Sequence, residues 1–158
     1  MDVCEAGSQR RLLRPWALAI IFVTLGVWDA EAPAATVSSH PFGRYEILLQ
    51  EGIGVEAGEI VGMVRRQTGL PEYPLIFGVG RGGLDLNILG PGNRPHRLAS
   101  AGGPGSAMVR KAPLRFMLER SAMHGESLVL RVRQPGVPQR MTLRVNLARL
   151  GRMLEGER

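Results

Sequence analysis

Four arginines near the C-terminus have the type and spacing that suit binding of an anion. In SLVLRVRQPGVPQRMTLRVNL (127–147), they alternate with aliphatic residues. The set is Arg131, Arg133, Arg140 and Arg144. A guanidinium group is planar and binds carboxylates and phosphates through paired hydrogen bonds. Because alternation places every second residue on one side of a strand, the segment predicts one arginine-rich face. That face is interpreted either as a binding surface for an acidic partner or as a solvated sheet face.

Histidines and an aspartate are the candidates for metal or hydrolytic chemistry. Zinc ligands recur at short spacings such as H-x-x-x-H, and His40, His96 and His124 show no such spacing. His124 and Glu126 could supply two ligands, with His96 or Asp85 as a third, but the spacing does not require it. No metal and no cofactor is predicted. A small exported hydrolase or metal-dependent enzyme using His96, His124 and Asp85 remains an alternative.

A glycine-rich segment resembles a dinucleotide-binding motif only in its spacing. Gly78, Gly80 and Gly83 match G-x-G-x-x-G, which in dinucleotide sites leads from a strand into a helix. Here the alternating segment LDLNIL (84–89) follows, and residues 86–118 contain no carboxylate for a ribose. The pattern therefore predicts a turn between two strands. The chain also has no G-x-S-x-G motif, so the sequence favours a non-catalytic protein.

The first 34 residues have the layout of an export signal. A basic segment (10–14) precedes an uncharged apolar run from Pro15 to Trp28, and acidic and small residues follow. The run has 14 residues, within the roughly 7–15 of a signal peptide and below the about 20 that span a membrane. Residues 1–34 are predicted to be a signal peptide cleaved after Ala34, or alternatively an uncleaved membrane anchor. The Arg-Arg pair also leaves twin-arginine export open beside ordinary secretion.

Both alternatives place the remainder of the chain outside the cytoplasm, in the periplasm or the extracellular space. An uncleaved anchor would leave the C-terminus outside and allow membrane contact through residues 15–28. Cys4 precedes the apolar run and is the only cysteine, so the exported part has no disulfide and no thiol nucleophile. The net charge is +6, but export and the lack of aromatics among the basic residues disfavour nucleic acid as a partner.

The exported part is predicted to be one small α+β domain over residues 43–147, mostly an antiparallel sheet with one or two helices. PDZ-like and β-sandwich folds are the alternatives. Residues 35–42 are predicted to be a linker and 148–158 a polar tail. Alternation or strand-forming composition predicts strands at 43–50, 74–79 and 84–89, and a closing β-hairpin at 127–147. Loops are predicted at 90–95 and 100–106.

Two segments are predicted to be helical. In 51–71, valine and isoleucine recur near helical spacing, with acidic residues early and basic residues late. In 113–125, the alternation of Leu114, Phe116 and Leu118 suits a strand, whereas proline at the start and glycine at the end suit a helix. A helix is predicted for the C-terminal half of this second segment.

Part of the chain resembles bacterial PDZ-type domains. SAGGPGSAMV (100–109) is similar to the small-residue turn of that family, and HGESLVLRVRQPG with RMTLRV is similar to its closing hairpin. YPLIFGV (73–79) could stand where the family has its carboxylate-binding loop. The usual Gly-Asp after the turn is replaced by Gly105-Ser106. The resemblance implies capture of an extended peptide at a sheet edge.

Together these features predict an exported, non-catalytic binding or assembly module. Its partner would be an acidic protein, an anionic glycan or another anionic surface polymer, or a membrane surface. Contact would be made by the arginine-rich hairpin face. Two alternatives stay open beside it: a structural subunit of a cell-envelope or secretion complex, and the small exported enzyme described above.

Overall fold

The computed structural model describes residues 35–102 and 114–156, and within them most residues lie in β-strands. The strands are β1 (Thr36–Phe42), β2 (Tyr45–Glu51), β3 (Gly54–Glu56), β4 (Ile60–Arg66), β5 (Gly69–Gly80), β6 (Gly83–Leu89), β7 (Pro95–Ala101), β8 (Arg115–His124), β9 (Ser127–Arg133) and β10 (Arg140–Asn146). A single 3-10 turn, Pro91–Asn93, precedes β7, and helix α1 (Leu147–Gly156) follows β10. The predicted mostly antiparallel sheet structure is therefore confirmed, and the described elements are consistent with a small α+β or β-rich fold.

The strands form two sheets in which every pair that the structure describes is antiparallel. The first sheet has six strands in the order β1-β2-β4-β5-β6-β7, and the second has four in the order β10-β9-β8-β3. After β2 the chain leaves the first sheet, and the short strand β3 pairs with β8 of the second sheet. The connection from β2 to β4 therefore ties the two sheets together.

Both sheets contribute alternate residues to one hydrophobic core. The largest fully buried side chains are Phe77, Phe116, Ile47, Leu49, Leu75, Leu84, Leu86, Ile88, Leu118, Leu128, Leu130 and Leu143. Phe77 of the first sheet and Phe116 of the second meet edge to face, with ring centroids 6.2 Å apart. Since β8, β9 and β10 bury one side in this core, their other side is left to solvent.

The predicted closing hairpin is confirmed. Strand β9 pairs with β10 so that Leu130 lies opposite Leu143 and Arg133 lies opposite Arg140. The strands predicted at 43–50, 74–79 and 84–89 are also present, as β2, β5 and β6. The glycine-rich segment forms the turn between β5 and β6, as predicted. Gly83 has φ +129°, and a side chain there would meet the Ala101 carbonyl, so the position requires glycine.

The helix predicted over 51–71 is wrong, because these residues form β3, β4 and the start of β5. A register shift between Ile60 and Gly62 inserts an extra residue into β4. Val61 and Val64, three residues apart, are consequently both buried, which reproduces helical spacing within a strand. Gly62 lies so close to β2 that a β-carbon there would meet the Leu48 carbonyl.

The helix predicted in the second half of 113–125 is also wrong, since β8 continues through to His124. The proline and glycine at the ends of the segment suggested the helix, whereas the strand carries a register shift between Leu118 and Arg120. This shift puts Leu118 and Ser121 on the same buried side although they are three residues apart. The alternative interpretation from the alternation of Phe116 and Leu118 was the correct one.

The predicted C-terminal tail is instead helix α1. Asn146 Oδ1 accepts a hydrogen bond from the Arg149 amide at 2.8 Å, which caps the first turn. Leu147, Leu150 and Leu154 recur at helical spacing and are buried. The prediction of a tail overlooked both signals. Because Leu150 and Leu154 are buried in the core, the domain extends beyond residue 147.

The predicted linker and one of the predicted loops also need correction. Residues 36–42 form β1, which pairs with β2 from Thr36 to Phe42, so the segment predicted to be a linker belongs to the sheet. The loop predicted at 90–95 is confirmed, since it holds the 3-10 turn Pro91–Asn93 and only Pro95 belongs to β7, whereas residues 100–101 of the second predicted loop end β7. Positions 103–106 and the predicted signal or anchor, 1–34, lie outside the described residues.

The role suggested for 73–79 by the PDZ resemblance is not supported. These residues lie inside β5, which is hydrogen-bonded to β4 on one side and to β6 on the other. The segment is therefore a paired strand and does not form the carboxylate-binding loop that the resemblance implied. Within the described ranges, no helix is long and apolar enough to cross a membrane.

Candidate functional site: an arginine-rich sheet face

The solvent-exposed side of β8, β9 and β10, here called the outer face, carries all four predicted arginines. Arg131 and Arg133 lie on β9, and Arg140 and Arg144 lie on β10. All four are exposed because they alternate with residues that enter the core. The placement predicted from the sequence is therefore found in the structure.

Glu119 neutralises part of this charge. Its Oε1 lies 3.1 Å from Arg133 Nε, and its Oε2 lies 2.7 Å from Arg140 Nε. Arg133 and Arg140 are directly opposite each other, an arrangement in which like charges repel. The bridging carboxylate offsets this repulsion. Since the three side chains remain partly exposed, the pairing contributes little to stability.

A second arginine pair lies one step along the same face and has no such bridge. Arg120 of β8 is directly opposite Arg131 of β9. Neither forms an ion pair with any residue that the structure describes, and the same holds for Arg144. Arg120 was missed by the sequence analysis because its segment was assigned partly to a helix.

A hollow of about 220 Å³ lies beside the unbridged pair. It is lined by Arg120, Ser121, Ala122, His124, Val129 and Arg131. Ala122 and Val129 are directly opposite each other on β8 and β9, and both line the hollow. Among the described residues, the hollow is thus lined by two arginines and a histidine and by no acidic residue.

A second polar cluster, formed by Ser38, His40, Glu51 and Ser121, joins β1 and β2 to β8. Glu51 Oε1 accepts hydrogen bonds from both the Ser121 amide, at 2.7 Å, and the Ser121 hydroxyl. Ser121 Oγ also lies 2.7 Å from His40 Nε2 and 2.7 Å from Ser38 Oγ. These contacts join residues 70 to 83 positions apart, so sequence spacing gave no sign of them.

Burial and hydrogen bonding within this cluster shift two pKa values. Burial lowers the pKa of His40 below 6.5, although the nearby Glu51 carboxylate partly opposes this. Burial acts to raise the pKa of Glu51, but hydrogen bonds from the Ser121 hydroxyl and amide and from Ser38, with the charge of His40, outweigh it. The pKa of Glu51 therefore lies below 4.5.

The geometry differs from that of a serine nucleophile. A catalytic serine donates its proton to the histidine that acts as base. Here the Ser121 hydroxyl donates its single proton to Glu51 and therefore does not donate it to His40, although Ser121 Oγ lies within hydrogen-bonding distance of His40 Nε2 and Ser38 Oγ. The Ser121 amide is also engaged by Glu51 and is not free to bind an oxyanion. The cluster acts as a polar junction between the sheets.

The residues suggested for an enzymatic site lie on different strands. Asp85 is on β6 and His96 on β7 of the first sheet, whereas His124 ends β8 of the second. Among the described residues, no group of three or more His, Cys, Asp or Glu side chains is placed to hold a metal ion. His124 instead lines the hollow beside Arg120 and Arg131.

Comparison with known proteins gives no relative for this arrangement. No family model, no curated protein and no solved structure matches the chain. The interpretation of the outer face therefore depends on its own geometry and charge.

Proposed function

We propose that this chain is an exported, non-catalytic binding or assembly module that contacts an acidic partner through its outer face. The observation that carries the proposal is the set of exposed arginines without an ion pair in the described part of the chain, Arg120, Arg131 and Arg144. On the same face, Arg133 and Arg140 have Glu119 as a partner. The proposed partner would place negative charge beside these three arginines, as Glu119 does beside Arg133 and Arg140.

The shape of the face also supports the proposal. It is built on the central and edge strands of a sheet whose other side is packed into the core, so its arginines project from a rigid surface. An acidic protein, an anionic glycan or another anionic surface polymer, and a membrane surface all present rows of negative groups to such a surface. Export through residues 1–34, and membrane contact through residues 15–28, belong to the same proposal.

The test is a titration of the full-length chain with poly-L-glutamate, used as a defined acidic polymer, over a series of sodium chloride concentrations. We expect affinity to fall as salt screens the contact, since the Debye length is about 8 Å near 0.15 M. The double variant Arg131→Glu with Arg144→Glu should bind at least tenfold more weakly than the unaltered chain.

The matched control is Arg149→Glu with Arg152→Glu, which makes the same change in net charge at exposed positions of α1. We expect it to bind within about threefold of the unaltered chain, because only diffuse attraction changes. Equal weakening by the two double variants would show that net charge alone attracts the polymer, and the proposal would then be abandoned.

A further inference from the structure

We infer that the hollow beside Arg120 and Arg131 is a binding site for a phosphomonoester group. The inference rests on the proposed function, since it names the anion recognised at one position of the outer face. Its basis is a difference between two opposed arginine pairs. Glu119 bridges Arg133 and Arg140, whereas a hollow lies beside Arg120 and Arg131.

The two arginine pairs provide an internal comparison. In each pair, the guanidinium groups start from directly opposite backbone positions and so repel each other. Glu119 offsets this repulsion for Arg133 and Arg140. Arg120 and Arg131 have no carboxylate partner among the described residues. An anion from outside the chain would take the position that Glu119 takes for the first pair.

The charge and donor count of the hollow select the kind of anion. A phosphomonoester carries about −1.5 to −2 charge at pH 7 and three acceptor oxygens. Two arginines balance that charge, and their planar forks donate paired hydrogen bonds to phosphate oxygens. His124, which also lines the hollow, adds an imidazole N–H donor. A single carboxylate would offer only two oxygens and leave one positive charge unbalanced.

The size of the hollow is compatible with this ligand. Its volume is about 220 Å³. One water takes up roughly 30 Å³ of the liquid, so the hollow has room for a phosphate group and a few waters. The short side chains of Ala122 and Val129 line it together with Arg120 and Arg131.

The experiment measures binding of inorganic phosphate to the full-length chain by calorimetry and by the shift in melting temperature, with acetate at equal ionic strength as reference. We expect saturable phosphate binding that raises the melting temperature, and no saturable acetate binding. Arg120→Ala should weaken phosphate binding at least tenfold. Arg152→Ala on α1, with the same loss of charge, should leave it within twofold.

Folding of the Arg120 variant is checked by its own melting curve. Because this change removes a like-charge contact with Arg131, we expect unaltered or higher stability in the absence of phosphate. Lack of saturable phosphate binding, equal binding of acetate, or equal weakening by the two alanine variants would each overturn the inference.

Two further binding measurements distinguish the possible sources of the phosphomonoester group. Glycerol 3-phosphate represents a soluble phosphomonoester, and phosphatidylcholine vesicles with and without phosphatidic acid represent a lipid headgroup. Binding of either one, lost in Arg120→Ala, supports the inference and identifies the source; binding of neither would contradict it.

If polyglutamate binding depends on Arg131 and Arg144 while phosphate does not bind, only this inference fails. If phosphate binds here while polyglutamate ignores the outer face, only the proposed function fails.

Discussion

At the scale of single residues, the identity of one carboxylate decides how much positive charge the outer face presents. Glu119 contacts Arg133 and Arg140 at 3.1 and 2.7 Å. It lies at the register shift of β8, between Leu118 and Arg120. Two of the four arginines that the sequence singled out are therefore partly neutralised. The binding capacity of the face is expected to lie with Arg120, Arg131 and Arg144.

Replacing that carboxylate should strengthen binding of an acidic polymer. We expect Glu119→Gln to raise the affinity for poly-L-glutamate roughly two- to fivefold, since exposed charge pairs are worth about 0.2–1 kcal/mol. The melting temperature should fall slightly because Arg133 and Arg140 then repel each other. Glu46→Gln, which frees Arg65 on the first sheet from a 3.0 Å ion pair, is the control. An equal gain in affinity from the control would contradict the assignment.

The polar junction predicts a pH dependence of stability. The pKa of Glu51 is below 4.5 in the folded chain, so its contribution is present above pH 4.5 and is lost as the pH falls through the folded value. The pKa of His40 lies below 6.5 when folded, so the unfolded chain binds that proton first and stability also falls below pH 6.5. Acidification therefore destabilises the fold at both groups.

The isosteric variant Glu51→Gln separates the two contributions. It can still accept hydrogen bonds from Ser121 but has no carboxylate to protonate. We expect denaturant unfolding to show a shallower loss of stability below pH 4.5 than in the unaltered chain. The same slope in both proteins would mean that the junction does not stabilise the carboxylate.

At the scale of elements, the two bulged strands show why part of the fold could be predicted and part could not. The regular hairpin of β9 and β10 keeps a strict two-residue period, so its pairing and its arginine face were evident from the sequence. In β4 and β8 an extra residue breaks that period, and the buried Val61 and Val64 then imitate a helix. Helix α1 was overlooked although Leu147, Leu150 and Leu154 had helical spacing.

The close approach at the β4 bulge gives a test at this scale. A side chain at Gly62 would meet the Leu48 carbonyl and the Leu49 side chain, so we expect Gly62→Ala to destabilise the fold by about 1–3 kcal/mol. Gly54→Ala in β3 is the control, because nothing lies within 4 Å of the added carbon. Chemical denaturation would measure both changes. A Gly62 variant no less stable than the control would show that β2 and β4 are not in this register.

At the scale of the whole molecule, the two sheets and helix α1 of the described residues share a core, and the outer face of the second sheet is basic. The candidate site could be predicted only where it follows from local alternation. Arg120, the bridge from Glu119 and the junction at Ser121 all depend on pairing between strands distant in sequence. The proposed exported location completes the interpretation, since it would place the outer face where acidic proteins and anionic polymers are met.

The most direct test of the central claim is an NMR titration of the full-length chain with poly-L-glutamate, following arginine side-chain and backbone amide signals. We expect the largest shifts at Arg120, Arg131 and Arg144, with smaller shifts at the ion-paired Arg133. Shifts confined to Arg149 and other exposed arginines outside the outer face, with none at Arg131 or Arg144, would contradict the claim that the outer face is the binding surface.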